Sequence, residues 1–222
     1  TADNYYSREA NRAYFSVSQF KSFRKCEAAA LAELNGEYEL ERGRALLVGS
    51  YVDEMLTGTE KSIKAFVEEH ADELFKKNGD PYADIEQAQS TIIRIRRQPL
   101  MMKHLNGSHQ TIMTGEIEGV PVKIKVDTLH PDKIVDGKVM RDFAPIYVED
   151  KGRLMWWEAW NYDAQGAVYQ EIVYQNTGKR LPFFLSAATK EKVTDIDILH
   201  IDNERRNLAL HEVECASTHR NT

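Results

Sequence analysis

The stretch from Thr111 to Met140, TIMTGEIEGVPVKIKVDTLHPDKIVDGKVM, decides the fold. It divides into three strand-like segments, Thr111 to Ile117, Val122 to Leu129 and Lys133 to Met140, separated by the turn sequences Glu118-Gly119 and Pro131-Asp132. Short β-rich runs joined by such turns predict an antiparallel meander. Side chains alternate across a strand, so Val122, Ile124 and Val126 share one face of the second segment while Lys123, Lys125 and Asp127 share the other. In the third segment Asp136 and Lys138 face the same way, with the small Gly137 between them. Adjacent strands thereby bring two carboxylates and one ammonium together.

Helical patterns surround the meander. Upstream, Ser16 and Gln19 form a capping-box pattern, and Phe20, Phe23 and Ala28 continue an apolar stripe. A second helix is predicted from about Arg44 to Leu56, ended by Thr57-Gly58. Residues 61 to 77 and 84 to 98 predict two charged amphipathic helices parted by Asn78-Gly79-Asp80-Pro81. Downstream, a long helix is expected from about Trp156 to Gln175, closing near Gly178 with Pro182 beyond it. Strands over Phe183 to Ala188 and Thr194 to Ile201 complete the order. The expectation is one α/β (α+β) domain over residues 1–222, a central mixed sheet flanked by helices, with a helical insertion at about 59–108.

Composition narrows the function classes. The 222 residues fit one domain by the usual ~150-residue prior, and 42% hydrophobic with 29% charged residues is ordinary for a globular chain. Lys and Arg number 29 against 35 Asp and Glu, a net charge of −6 that argues against coating nucleic acid by bulk charge and leaves a local basic groove open. Cys26 and Cys215 cannot supply a multi-disulfide framework, a four-thiolate zinc site or an iron–sulfur cluster. With no run approaching the ~20 apolar residues of a membrane helix and no signal-peptide pattern, a cytoplasmic location is expected.

Two carboxylates on neighbouring strands suit Mg²⁺ or Mn²⁺, because hard cations take oxygen ligands and Mg²⁺ commonly uses one or two carboxylates. A lysine beside such an ion orients a water and offsets charge on a phosphoryl group, which points to metal-assisted phosphodiester hydrolysis. Taken alone, an Asp-x-Lys triplet reads first as a solvated surface pair, as Glu149-Asp150-Lys151 does. Gln165 and Tyr169, four residues apart, share one helix face, where a core tyrosine is the competing reading. Asp53 follows Gly49 by one helical turn, and a glycine inside a helix costs ~1 kcal/mol relative to alanine, which suggests a close-approach reason.

In order, Gly49 to Asp53, Asp127, Asp136-Gly137-Lys138 and Gln165 to Tyr169 resemble the PD-(D/E)xK nuclease superfamily in its RecB-like branch. More closely, the chain from about Ser16 to Ile201 is similar to phage-associated exodeoxyribonuclease VIII-like proteins. The resemblance implies a restriction-endonuclease-like core. It implies that Asp127 and Asp136 bind one or two Mg²⁺ or Mn²⁺ ions, that Lys138 is the catalytic lysine and that the Gly137 carbonyl completes the metal shell. Asp53 stands where many RecB-like nucleases have a histidine, and there it implies a further metal ligand. Gln165 and Tyr169 match the helix motif associated with the active site and DNA, and Ser16 and Ser18 the start of the helix where phosphate contact is expected, although capping explains Ser16 equally well. Val126 replaces the proline of the superfamily name, and two cysteines exclude the iron–sulfur branch.

The implied activity is a metal-dependent DNA exonuclease processing double-stranded ends in phage-type recombination. An endonuclease or structure-specific nuclease on the same core, or a non-catalytic DNA-binding recombination partner, are the alternatives. The resemblance allows a homo-oligomeric ring and a single-strand annealing protein as partner. For the DNA path the residues offer Lys123, Lys125 and the cluster Arg94, Arg96 and Arg97, set against a solvated helix face. Trp156, Trp157 and Trp160 are candidates for stacking on a base, although Trp157 and Trp160, three apart, read better as a buried helix face. His104, His109, His130 and His200 show no metal-ligand spacing.

Overall fold

The computed structural model describes residues 4–38 and 43–219, with side chains for all of these except 212 and 214–219, so the Cys215 thiol lies outside the described residues. The chain runs α1 (Arg8–Ala13), α2 (Val17–Lys25), α3 (Glu27–Asn35), α4 (Arg44–Thr57), α5 (Glu60–Glu69), α6 (Ala71–Leu74), α7 (Ala83–Arg96) and α8 (Pro99–Leu105). The strands β1 (Ser108–Ile117), β2 (Val120–Leu129) and β3 (Ile134–Met140) follow, then a separate hairpin of β4 (Ile146–Val148) and β5 (Gly152–Leu154). The order ends with α9 (Trp156–Ala159), α10 (Tyr162–Thr177), β6 (Phe183–Thr189), β7 (Ile196–Ile201) and α11 (Asn203–His219).

The main sheet has the order β1-β2-β3-β6-β7. β1 pairs antiparallel with β2 from Ser108↔Leu129 to Ile117↔Val120, and the intervening Glu118 (φ 49°) and Gly119 (φ 76°) are both left-handed, the turn that matches the twist of a hairpin. β3 and β6 run parallel from Ile134↔Phe183 to Met140↔Thr189. A parallel pair requires a crossover, and α10 supplies it. β7 closes the edge antiparallel to β6. The meander and the mixed sheet are as the hydrophobic alternation predicts.

Both faces of the sheet are covered. On one, Ala164, Ala167, Val168, Ile172 and Val173 of α10 pack with Val17 and Phe20 of α2 against Ile124, Val126, Ile134, Phe183 and Leu185. On the other, Val48 and Val52 of α4, Ile85, Ile92 and Ile95 of α7 and Leu105 of α8 pack toward Val139, Ala188 and Ile198. Ile134 and Met140 join the first cluster and Val139 the second, so the period-two alternation of β3 sends Asp136 and Lys138 toward α10.

The long helix expected from Trp156 to Gln175 is broken. α9 ends at Ala159, and Asn161 takes a left-handed conformation (φ 52°, ψ 42°) before α10 begins. Asparagine visits that region at little cost, which makes it the natural hinge. The helix expected over 61–77 stops at His70 and restarts as α6, and the one expected over 84–98 gives way to α8, with Pro99 at its first turn. Helices α1, α3 and α11 and the β4–β5 hairpin lie outside the sequence reading. α11 is tied down where Arg205 pairs with Asp163 at 2.6 Å. Among the described residues no helix is long and apolar enough to cross a membrane.

Candidate active site

The β2–β3 ladder holds only Thr128↔Val135 and Leu129↔Ile134. One step further along the register, Asp127 stands opposite Asp136, and there the strands part. The Gly137 N–H donates to Asp127 Oδ2 at 3.3 Å instead of to a strand carbonyl. A strand residue's N–H and C=O point to the same side, so the Gly137 carbonyl also faces this gap. Asp136 is 1% exposed. Its Oδ1 accepts from Gln165 Nε2 at 2.7 Å, and its Oδ2 lies against the Lys138 ammonium with no well-aligned hydrogen bond. The sequence-predicted Asp127, Asp136, Gly137, Lys138 and Gln165 are therefore brought together.

The electrostatics of this cluster are strained. Burial first, and then the neighbouring Asp136 charge, push the Asp127 carboxyl well above the ordinary carboxylate range. Burial also disfavours the Lys138 ammonium, but the flanking Asp136 and Asp127 charges outweigh it and hold the lysine protonated beyond its usual range. Asp53, on α4, is raised as well, by burial, by Asp136 and by Glu54. Its Oδ2 accepts from Gln110 Nε2 at 3.3 Å, so the third acid senses the pair electrostatically while bonded to β1.

Whether these residues suit a divalent cation can be read from the oxygen donors. Among the described residues no three His, Cys, Asp or Glu side chains form a ready-made cage. Two carboxylates and a carbonyl at one gap are nonetheless the donor set that Mg²⁺ uses when it keeps its waters. Asp136 Oδ2, whose ion pair with Lys138 includes no well-aligned hydrogen bond, and the repulsion between Asp136 and Asp127 both favour an added cation. The site fits the group, with Asp53 as an outer acid.

α10 and α2 build the wall of the site. Gly166 permits the close approach of α10: a Cβ there would lie 2.5 Å from Phe183 Cδ1. Tyr169 donates to the Lys125 carbonyl at 3.0 Å, which anchors β2 two residues before Asp127 and buries the phenol, raising its pKa. Lys21 of α2 went unnoticed in the sequence. Its Nζ donates to Gln165 Oε1 at 3.3 Å and lies 4.4 Å from the Tyr162 ring centroid, while Lys138 Nζ lies 5.0 Å from the same ring. Burial, reinforced by the Lys138 charge, lowers the Lys21 pKa to about 8. No local pattern marks this lysine, because its partner is 144 residues away.

The structure places the residues expected on a DNA path as follows. Lys123 is 3% exposed and donates to the Tyr5 carbonyl and to Asn11 Oδ1, so the N-terminal segment covers it. Lys125 lies over the Tyr6 ring, 4.6 Å from its centroid. Trp156 is 2% exposed and stacks on Phe143 in the core, whereas Trp160, read as part of a buried face, is 53% exposed. Arg96 donates to the Met55 carbonyl at 2.7 Å and caps the end of α4, while Arg94 and Arg97 sit on the last turn and at the C-cap of α7. The Ser16 hydroxyl is used in the capping box of α2, accepting from Gln19 N at 3.3 Å. Ser18 is exposed and, with Tyr5, Tyr6, Arg8 and Tyr38, lines a cavity of about 740 Å³ between α1, α2 and α3.

Comparison with known proteins agrees with this fold. Residues 16–221 match the model of a family described as a PDDEXK-like domain of unknown function (DUF3799). A crystal structure described as a "Putative exonuclease" from Eubacterium rectale superposes with a TM-score of 0.92 at 44% identity, over 99% of this chain and 84% of that one. No curated protein matches. The mixed five-stranded sheet, the acids at its parting strands and a family match over nearly the whole chain lead to one conclusion: the chain belongs to the PDDEXK-like family DUF3799 and carries a nuclease-type, restriction-endonuclease-like α/β fold.

Proposed function

We propose that the chain is a Mg²⁺- or Mn²⁺-dependent DNA exonuclease that processes double-stranded ends, as in phage-type recombination. The observation that carries the reading is the convergence of Asp127, Asp136 and Lys138 where β2 and β3 part, with Gln165 holding one oxygen of Asp136 and the Lys138 ammonium facing the other. Asp127, Asp136 and the Gly137 carbonyl are the residues to hold the cation, with Asp53 behind them. When bound, the cation supplies Lewis acidity toward the scissile phosphodiester. Lys138 is kept protonated by its two acidic neighbours, so its role is to orient the attacking water and to offset charge on the phosphoryl oxygens rather than to remove a proton. Gln165 fixes Asp136, and Tyr169 fixes the β2 backbone beside Asp127. The wider setting, a ring-shaped homo-oligomer passing its strand to a single-strand annealing protein, rests on the family resemblance alone.

The test compares linear with covalently closed DNA in Mg²⁺, for wild type and Lys138→Ala. Linear DNA is degraded and closed circles survive, and the variant loses at least about 10²-fold in rate. Equal loss of both substrates replaces the exonuclease with an endonuclease. Full activity in Lys138→Ala removes the site assignment. No cleavage, together with no Mn²⁺ binding by calorimetry, returns the chain to a DNA-binding role.

A further inference from the structure

Lys21 lies outside every motif that led to the site, yet it enters it. α2 is fixed by its capping box and by Val17 and Phe20 in the core, and from that anchored helix Lys21 reaches α10. An ammonium only donates hydrogen bonds, so the oxygen of the Gln165 amide must face Lys21 and its NH₂ must face Asp136. Amide orientation is otherwise ambiguous, and here the lysine decides it. The two lysines share the Tyr162 ring, and each carries the electrostatic imprint of Asp136.

We propose, resting on the nuclease reading, that Lys21 is a second lysine of the active site, seating a non-bridging oxygen of the substrate phosphodiester while it holds the Gln165 amide toward Asp136. Charge supports this. The acids Asp53, Glu54, Asp127 and Asp136 gather around the gap, and Asp136 acts on both the Lys138 and the Lys21 ammonium groups. Lys21 thus adds a second positive charge beside Lys138 in an acid-rich site that must also accept an anionic phosphodiester. The other charges near Lys21 are neutralised locally, since Asp163 is paired with Arg205. Both ammonium groups lie over the Tyr162 ring, at 4.4 and 5.0 Å from its centroid, and a π-face tolerates cations on it.

The experiment measures binding of a fluorescein-labelled blunt duplex by anisotropy across a salt series in Ca²⁺, and steady-state hydrolysis in Mg²⁺. Wild type is compared with Lys21→Met, Lys21→Gln and Lys21→Arg, each checked for folding by thermal melting. Lys21→Gln keeps a donor for Gln165 but removes the charge, so it remains informative if Lys21→Met fails to fold. Met and Gln variants are expected to bind about 10- to 100-fold more weakly, the loss of one charged hydrogen bond. Their slope of log affinity against log salt is expected to fall by about one. Lys21→Arg restores the slope. Wild-type slope and affinity in a folded Lys21→Gln variant overturn the inference. Absence of Mg²⁺-dependent hydrolysis by wild type overturns the nuclease reading instead, and the two failures are told apart because binding is read without hydrolysis.

Discussion

Replacing Gly166 with alanine tests how closely α10 must approach the sheet. The added Cβ would lie 2.5, 2.9 and 3.0 Å from Cδ1, Cε1 and Cγ of Phe183, where ordinary carbon contacts need about 3.5–4.0 Å. Phe183 has nowhere to go: it is fully buried, paired with Ile134 across the parallel ladder, and set edge-on against Tyr169 at 6.2 Å. Overpacking of this kind costs about 1–3 kcal/mol and alanine returns ~1 kcal/mol of helix propensity, a net of ~0–2 kcal/mol, and the closeness of the contact places the loss in the upper half of that net range, ~1–2 kcal/mol. For a chain of this size that lowers the melting temperature by roughly 2–8 °C, at ~2–4 °C per kcal/mol. Urea unfolding and differential scanning calorimetry read it directly. Gln165 is the adjacent residue, so the same displacement should lower kcat for DNA hydrolysis. Phe183→Leu, which removes the ring edge, should make the double variant less unstable than the two single losses together, by more than ~0.5 kcal/mol. A melting temperature equal to or above wild type would mean that α10 does not need the glycine.

Two other consequences are measurable. Asp127 carries a folded-state pKa above its unfolded value of ~3.9, so in the metal-free protein the folded state holds the proton between those two values and stability falls as pH rises through that window, at about 1.36 kcal/mol per unit per group. The penalty is already present at neutral pH, well above the unfolded value, so Asp127→Asn in EDTA should raise the melting temperature at pH 7 while abolishing hydrolysis; a lower melting temperature at that pH contradicts the repulsion between the acids. Trp156→Ala should cost ~3–5 kcal/mol because it empties a buried site, and Trp160→Ala less than ~0.5 kcal/mol, both by urea unfolding. The reverse ranking would restore the buried-face reading of Trp160.

Much of the fold is legible in the chain because it depends on neighbours in sequence. Alternation in β2, the left-handed Glu118-Gly119 turn and the Ser16–Gln19 capping box each involve residues no more than a few positions apart. Asn161 also offered a local cue, since asparagine is among the few residues that turn left-handed cheaply, and it is where the long helical pattern breaks. The aromatic run Trp156, Trp157 and Trp160 misled for the same reason. Helical spacing assumes one continuous helix, and the break at Trp160 and Asn161 exchanges which tryptophan faces the core.

For the site, strand alternation put Asp136 and Lys138 on one face and acids on adjacent strands, and the ordered resemblance to PD-(D/E)xK nucleases, not spacing alone, nominated Asp127, Asp136, Lys138 and Gln165. What the sequence could not hold was anything decided by the meeting of distant elements. The parting of β2 from β3 after Thr128↔Val135 opens the gap between the acids. The N-terminal segment folds over Lys123 and takes up its ammonium with the Tyr5 carbonyl and Asn11 Oδ1. The packing of α2 on α10 brings Lys21 to Gln165 across 144 residues. The sequence determined the five strands of the main sheet and which residue types share each strand face, since both are set by short-range periodicity. Tertiary structure alone decided which charges are buried together, because burial and Coulomb coupling depend on distance in space and not on separation along the chain.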